Sequence, residues 1–164
     1  MKYFVTGATG FVGGRVVRQL VEAGHYLVVV VRSPAKAQDL AELGVTVHQG
    51  DVTAKESMRA PMTGVDGVFH VAGWYKIGSK TPALGKQINI DGTRNVLELM
   101  KELRIPKGVY TSTLLVFSDT HGAVVDERRA RRPRAGPVAA HLAAAAADAR
   151  AARGVGPAAD RRRR

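Results

Sequence analysis

The stretch "TGATGFVG", Thr6 to Gly13, decides the fold. Its glycines Gly7, Gly10 and Gly13 are spaced three apart. Upstream lies "KYFV", a short apolar run that predicts a buried strand. Downstream, "VGGRVVRQLVEAG" sets Val12, Val16, Leu20 and Val21 on one side of a helix that stops at Gly24. A strand that enters a glycine-rich turn and leaves it as a helix has a specific physical use. Gly7 suits the dihedrals of the tight turn. Gly10 lets the backbone approach a pyrophosphate, and Gly13 lets the helix pack closely on the sheet. N–H groups at the helix start, reinforced by the helix dipole, then face the phosphates. The competing reading is a glycine-rich turn that holds no ligand.

The same alternation continues along the chain. "YLVVVVR" is a continuous β-branched run, suited to a strand covered on both faces. "KAQDLAELG" predicts a short helix ending at Gly44, "VTVHQGD" a third strand, and "GVDGVFHVAG" a fourth. Between the last two, "TAKESMRAPM" predicts a helix capped by Thr53, with Glu56 in the capping-box position. "PALGKQINIDGTRNVLELMKELRI" predicts one long helix with Ile88, Val96, Leu99 and Leu103 recurring, and "GVYTSTLLVF" a fifth strand with its following loop. Alternating strands and helices with short connections predict a parallel sheet with helices on both faces. The expected fold class is α/β, a Rossmann-type doubly wound sheet, incomplete, followed by an Ala/Arg-rich tail. A length of 164 residues suits one ordinary domain.

Charge divides the chain at Glu127. Residues 1–127 hold 14 Lys plus Arg against 12 Asp plus Glu, a net of +2; residues 128–164 hold 11 against 2, a net of +9. The tail also holds 14 alanines and no lysine, tyrosine, phenylalanine, tryptophan or isoleucine. The expected domains are therefore 1–127, a nucleotide-binding unit, and 128–164, a basic tail. Within the tail, 138–153 is expected as at most a loosely docked helix, with mobile segments on either side, because methyl groups bury little area. Such a charge cluster attracts polyanions non-specifically. It lacks aromatic residues for base stacking and bulky apolar residues for membrane insertion.

There is no cysteine, so disulfides and thiolate metal sites are ruled out, and no metal is expected. Met1 runs straight into a strand-like segment, so no signal peptide is expected, and no apolar run reaches the ~18 residues of a membrane span. Cytoplasm is the expected location.

The second strand ends in Arg32, where an acidic residue would accept hydrogen bonds from an adenosine 2′-OH. Arginine favours a 2′-phosphate there, so the expected cofactor is NADP or NAD, with NADP slightly favoured. The alternative is a solvated arginine near the sheet edge. Asp51, in "QGDV", is placed either to hydrogen-bond an adenine amino group or to cap the next helix.

Taken in order, "TGATGFVG", "GDV", "HVAG", "NIDGTRNVLELM" and "VYTST" resemble the extended short-chain dehydrogenase/reductase family, the NAD(P)-dependent epimerase/dehydratase group, in its dihydroflavonol reductase-like branch. The resemblance covers Met1 to about Glu127. It implies that Gly7, Gly10, Phe11, Val12 and Gly13 line the diphosphate and that Asp51 and Val52 flank adenine. It implies that Val71, Ala72 and Gly73 pass under the ribose and diphosphate. Asn89 would lie behind the site, and Thr111, Ser112 and Thr113 would end strand five, with Thr113 matching the catalytic serine/threonine. "WYKIG", Trp74 to Gly78, would belong to the loop over nicotinamide and substrate. Each has a plainer alternative: Asn89 satisfies a nearby backbone group, Thr113 is a strand-end hydroxyl, and Trp74 and Tyr75 are packing residues. His70 is read as a packed residue, and neither His121 nor His141 as catalytic.

The family's proton transfer uses a tyrosine with a lysine four residues later, neighbours on one helix face. Tyr3, Tyr26, Tyr75 and Tyr110 are followed at that spacing by Gly7, Val30, Ser79 and Leu114. The window where the resemblance expects the pair, Val138 to Ala143, reads "VAAHLA". Three readings follow. One is a truncated or frameshifted gene product, which the GC-rich codons of Arg, Ala, Gly and Pro favour. Another is a non-catalytic dinucleotide sensor or scaffold. The last is a basic-tailed protein associated with nucleic acid or membrane.

Overall fold

The computed structural model describes residues 1–75, 82–113 and 122–124. The expectations for the tail, for the loop at 76–81, for the segment 114–117 and for His121 lie outside the described residues. Five strands, β1 (Lys2–Thr6), β2 (Tyr26–Val31), β3 (Thr46–Gln49), β4 (Gly67–His70) and β5 (Gly108–Tyr110), form one sheet in the order β3-β2-β1-β4-β5. Every pairing is parallel. The chain winds outward from β1 through β2 to β3, then returns to β1's other side as β4. That reversal opens a crevice at the carboxyl ends of β1 and β4.

Alternation along the strands divides the core in two. Val5, Val29 and Val31 meet α1 (Phe11–Glu22) and α2 (Gln38–Glu42) through Val17 and Leu40. Phe4, Val28, Val30 and Val68 meet α3 (Lys55–Met62) and α5 (Thr93–Glu102) through Met58, Met62, Val96 and Leu99. Each fully buried large side chain, Phe4, Met58, Met62 and Leu99 among them, is worth roughly 1.5–3 kcal/mol of apolar burial. On the solvent side, Lys55 bridges Glu98 and Glu102 at 2.6 and 2.7 Å, and Arg59 reaches Glu102 at 2.7 Å. These exposed pairs tie α3 to α5 but add little stability, since water and salt screen them.

The helices correct the sequence-based expectations in several places. In α1 Leu20 and Val21 of the predicted face do pack on the core, but the buried residues are Gly13 and Val17, and Val12 is half exposed. The expected helix after β2 divides into a 3-10 turn, Pro34–Lys36, and the short α2, because Ala37 between them leaves the helical region at φ −128°. No capping box forms at α3: its N-cap is Ala54, with no side-chain cap. Asp51 instead accepts from both the N–H and the hydroxyl of Thr53, at 2.8 and 2.9 Å, and Glu56 pairs with Arg59. Asp51 takes the Thr53 N–H that the box would have given to Glu56, and Glu56 is engaged by Arg59 instead. The long helix is continuous but not uniform: α4 (Pro82–Lys86) passes through a π-helical segment, Gln87–Gly92, into α5.

Candidate functional site

The site grows from the exit of β1. Gly7 has φ +74°, a left-handed conformation that glycine adopts without strain. A Cβ there would lie 2.6 Å from the Ala72 nitrogen, so the turn and the exit of β4 are in backbone contact. A Cβ on Gly13 would sit 2.1 Å from the Gly7 carbonyl oxygen. Gly10 is the N-cap of α1, extended at φ −87°, and a Cβ there would meet only the Gly7 oxygen, at 3.2 Å. No side chain caps α1 and no acidic residue stands in its first turn. Its first N–H groups therefore keep their attraction for an outside anion. Phe11 and Val12 stand exposed at this helix start, with Arg15 stacked 4.8 Å over the Phe11 ring.

Beside the turn opens a cavity of about 450 Å³, bounded by Gly10, Phe11, Arg15 and Arg18 on one side and Lys36 and Leu40 on the other. Arg18 is paired to Asp39 at 3.1 Å. Arg32 is exposed just past the end of β2 and does not line this cavity. Sequence reasoning singled out Arg32 and passed over Arg15, Arg18 and Lys36. Their convergence depends on the 3-10 turn, which residue spacing does not announce.

Asp51 is half-buried and closes the turn before α3 through Thr53; it does not cap α3, whose N-cap is Ala54 with no side-chain cap. The Val52 side chain is core, packed beside Gly92, and its carbonyl accepts from Asn95 at 2.9 Å. Only its backbone is left to flank a ligand. Val71 and Ala72 are half-buried at the exit of β4, and Gly73 is exposed. Asn89, 2% exposed, accepts from the Trp74 N–H at 2.7 Å and donates to the Trp74 carbonyl at 2.8 Å. So Asn89 does satisfy a nearby backbone, and that backbone is the loop leaving β4. The Trp74 ring lies on Gly85, while Tyr75 is exposed. Thr111 and Ser112 are exposed beyond β5, Thr113 is half-buried, and the Thr111 N–H donates to the His70 carbonyl at 3.0 Å.

His70 is packed, as its place in β4 predicts. Its Nδ1 lies 2.6 Å from the Thr6 hydroxyl and its Nε2 3.0 Å from the Thr93 hydroxyl. Burial pushes its pKa down to about 4. The unfolded chain takes up a proton near pH 6.5 that the native chain refuses until about pH 4. This contribution is therefore complete above pH 6.5 and is lost as pH falls toward 4. The span corresponds to roughly 3 kcal/mol. Urea unfolding at pH 7 and pH 4.5 should show a larger acid-induced loss in the wild type than in His70→Gln, since glutamine does not titrate.

A glycine-rich turn with an uncapped helix start, at the switch point of a parallel sheet, defines a doubly wound nucleotide-binding domain. A model of the 3-beta hydroxysteroid dehydrogenase/isomerase family matches residues 4–140, past the compositional boundary at Glu127. The chain belongs to this family, within the extended short-chain dehydrogenases/reductases. It is 39% identical over 115 residues to the 2-alkyl-3-oxoalkanoate reductase of Shewanella oneidensis, covering 67% of this chain and 28% of that protein. It is 30% identical over 137 residues to the UDP-glucose 4-epimerase of Streptomyces lividans, covering 80% of this chain and 42% of that protein. The crystal structure of the Thermus thermophilus UDP-glucose 4-epimerase in complex with NAD superposes with a TM-score of 0.75 at 26% identity, over 90% of this chain and 49% of that one. The chain thus spans less than half the length of these relatives. Among the described residues, no helix is long and apolar enough to cross a membrane.

Proposed function

We propose that this chain is an NAD(P)-binding unit of the epimerase/dehydratase/reductase type, organised as residues 1–127 with a basic segment beyond. The observation that carries the reading is the turn Gly7–Gly13, where two glycines are required by backbone contact while Gly10 faces open space before an uncapped helix. Gly7, Gly10, Phe11, Val12 and Gly13 would receive the diphosphate through backbone N–H groups. Asp51 and the Val52 backbone would flank adenine. Val71, Ala72 and Gly73 would floor the ribose and diphosphate, with Asn89 behind them and Thr111 and Ser112 at the nicotinamide end. When bound, the dinucleotide supplies hydride chemistry; this chain's part is to bind and orient it.

NADP is the favoured form, on the charge of Arg32 and of Lys36 at the cavity beside the turn. Calorimetry with NADPH and NADH tests this. Arg32→Ala should weaken NADPH about tenfold or more, the loss of a charge-assisted hydrogen bond. NADH should change little. Equal losses for both would remove Arg32 from the role. Failure of the wild type to bind either would remove the reading itself.

Hydride turnover by the 164-residue chain is expected to be absent or very weak, because no tyrosine is followed by a lysine at the fourth position. Family-typical turnover of a ketone or sugar nucleotide, lost on Thr113→Ala, would overturn this. A dinucleotide-binding chain without turnover fits a sensor or scaffold. The eleven arginines of 128–164 support a second reading, salt-sensitive contact with polyanions.

A further inference from the structure

Thr6, His70 and Tyr110 stand in one row across three adjacent strands, since Thr6 pairs with His70 in the β1–β4 register and His70 with Tyr110 in the β4–β5 register. They project to the same face of the sheet, where Thr93 of α5 closes over them. Thr6, His70 and Thr93 are all at most 3% exposed. The Tyr110 phenol lies beside the Thr93 hydroxyl, and the His70 and Tyr110 rings lie 5.5 Å apart. A polar row inside an apolar sheet face is costly unless every group is paired.

The direction of the bonds follows from counting protons. The Ala72 N–H lies 3.2 Å from the Thr6 hydroxyl oxygen and can only donate to it. The Thr6 oxygen has a second lone pair, but among the described residues its own proton has only His70 Nδ1, at 2.6 Å, as an acceptor, and an Nδ1–H tautomer would leave that buried proton unpaired. Nδ1 is therefore unprotonated, and the neutral ring carries its proton on Nε2, which donates to Thr93. The chain runs one way, from the Ala72 amide through Thr6 and His70 to Thr93, so each bond polarises the next.

Thr6 directly precedes Gly7, and Ala72 is the residue against which Gly7 is seated. We infer that His70 is a positioning residue for the dinucleotide site: as the Nε2–H tautomer, it fixes the Thr6 hydroxyl that holds the Ala72 amide, locking the diphosphate turn to the exit of β4. This rests on the dinucleotide reading for its functional consequence, but the clamp itself is a property of the unliganded chain. His70 touches no ligand in this arrangement. It acts through Thr6 and Ala72.

The test uses the full chain with NADH and NADPH as probes. Nitrogen NMR of the unliganded wild type should show a non-protonated Nδ1 and a protonated Nε2; the opposite tautomer overturns the inference. His70→Phe removes both ring contacts at similar size. It should speed Ala72 amide exchange and weaken dinucleotide binding, each by about tenfold or more. His70→Gln, which keeps one acceptor and one donor, should restore both toward wild type. Unchanged exchange and affinity in His70→Phe, or a glutamine variant no better than phenylalanine, overturns the inference. Should His70→Phe fail to fold, Thr6→Val removes the same anchor from the other side, and slow Ala72 exchange persisting there is equally decisive against it. Should the wild type bind neither dinucleotide, the proposed function falls, while the ring tautomer and Ala72 exchange still decide the clamp.

Discussion

Gly13→Ala is expected to unfold the chain or leave it insoluble, whereas Gly10→Val is expected to leave it folded and abolish dinucleotide binding. The two glycines lie in one motif, yet their surroundings differ in kind. A methyl group on Gly13 would sit 2.1 Å from the Gly7 oxygen and 2.7 Å from the Gly7 carbonyl carbon. Both are backbone atoms of a turn already pinned against Ala72, so nothing small can give way. Helix α1 would have to lift from the sheet, taking Val17 out of the core with it. The cost should exceed ~4 kcal/mol, a range reached by few substitutions and comparable to the stability of many domains. At Gly10 the added group meets one oxygen at 3.2 Å and otherwise projects into open space. Its extended backbone accepts a branched residue, and the loss of an N-cap glycine costs about 1 kcal/mol. What the valine fills is the space where a diphosphate would lie. Thermal melts and calorimetry on both variants separate the outcomes. A stable Gly13→Ala would contradict the close seating of helix on turn. A Gly10→Val variant that still binds NADH or NADPH would put the diphosphate elsewhere.

The alternation of strands and helices, the turn and the two-sided cover of the sheet were legible because they are written in periodicity and in glycine. Runs such as "YLVVVV" leave little choice of environment, and three glycines between a strand and a helix leave little choice of turn. The helix details were not legible, for a common reason. The capping box at Thr53 lost to Asp51, two residues upstream, because the nearer carboxylate takes the Thr53 N–H in a local turn while Arg59 holds Glu56, and a pattern read at one spacing shows neither. In α1 the apolar spacing placed Leu20 and Val21 on the core but missed Val17 and the close seating of Gly13. The π-helical segment leaves no mark in an apolar period read over so long a helix. His70 was placed correctly as a packed residue, but its partners come from β1, α5 and β5. Only strand register brings Thr6, His70 and Tyr110 into a row. Lys36 faces the cavity for a similar reason, since the 3-10 turn carries it there.

Replacing Asn89 should show what the π-helical segment does for the site. The wider turn between α4 and α5 seats Asn89 and Gly92 inward, Gly92 against Val52 and Asn89 against the loop leaving β4. Asn89 grips both polar groups of one peptide residue, the Trp74 N–H and carbonyl, much as a neighbouring strand would. Asn89→Leu keeps the branching of the side chain, though its methyl groups are bulkier, and strands both groups. Each unsatisfied buried group costs about 1–3 kcal/mol, so the variant should lose roughly 2–5 kcal/mol. The segment Val71–Gly73, one residue upstream of the lost anchor, should exchange its amides faster. Asn89→Asp sharpens the argument. Its carboxylate still accepts from the Trp74 N–H, but it faces the Trp74 carbonyl oxygen with no proton to offer. Only the protonated acid restores the donor, so the folded chain should hold that proton more tightly than the unfolded chain, raising the folded pKa. The variant should then lie nearest the wild type below the unfolded carboxyl pKa of about 3.9 and lose stability as pH rises through its raised folded value. Denaturant melts of both variants from pH 3 to pH 8 check this. An aspartate variant whose deficit stays constant across that range would mean that the donor half of the grip contributes nothing, and that Asn89 holds the loop through the Trp74 N–H alone.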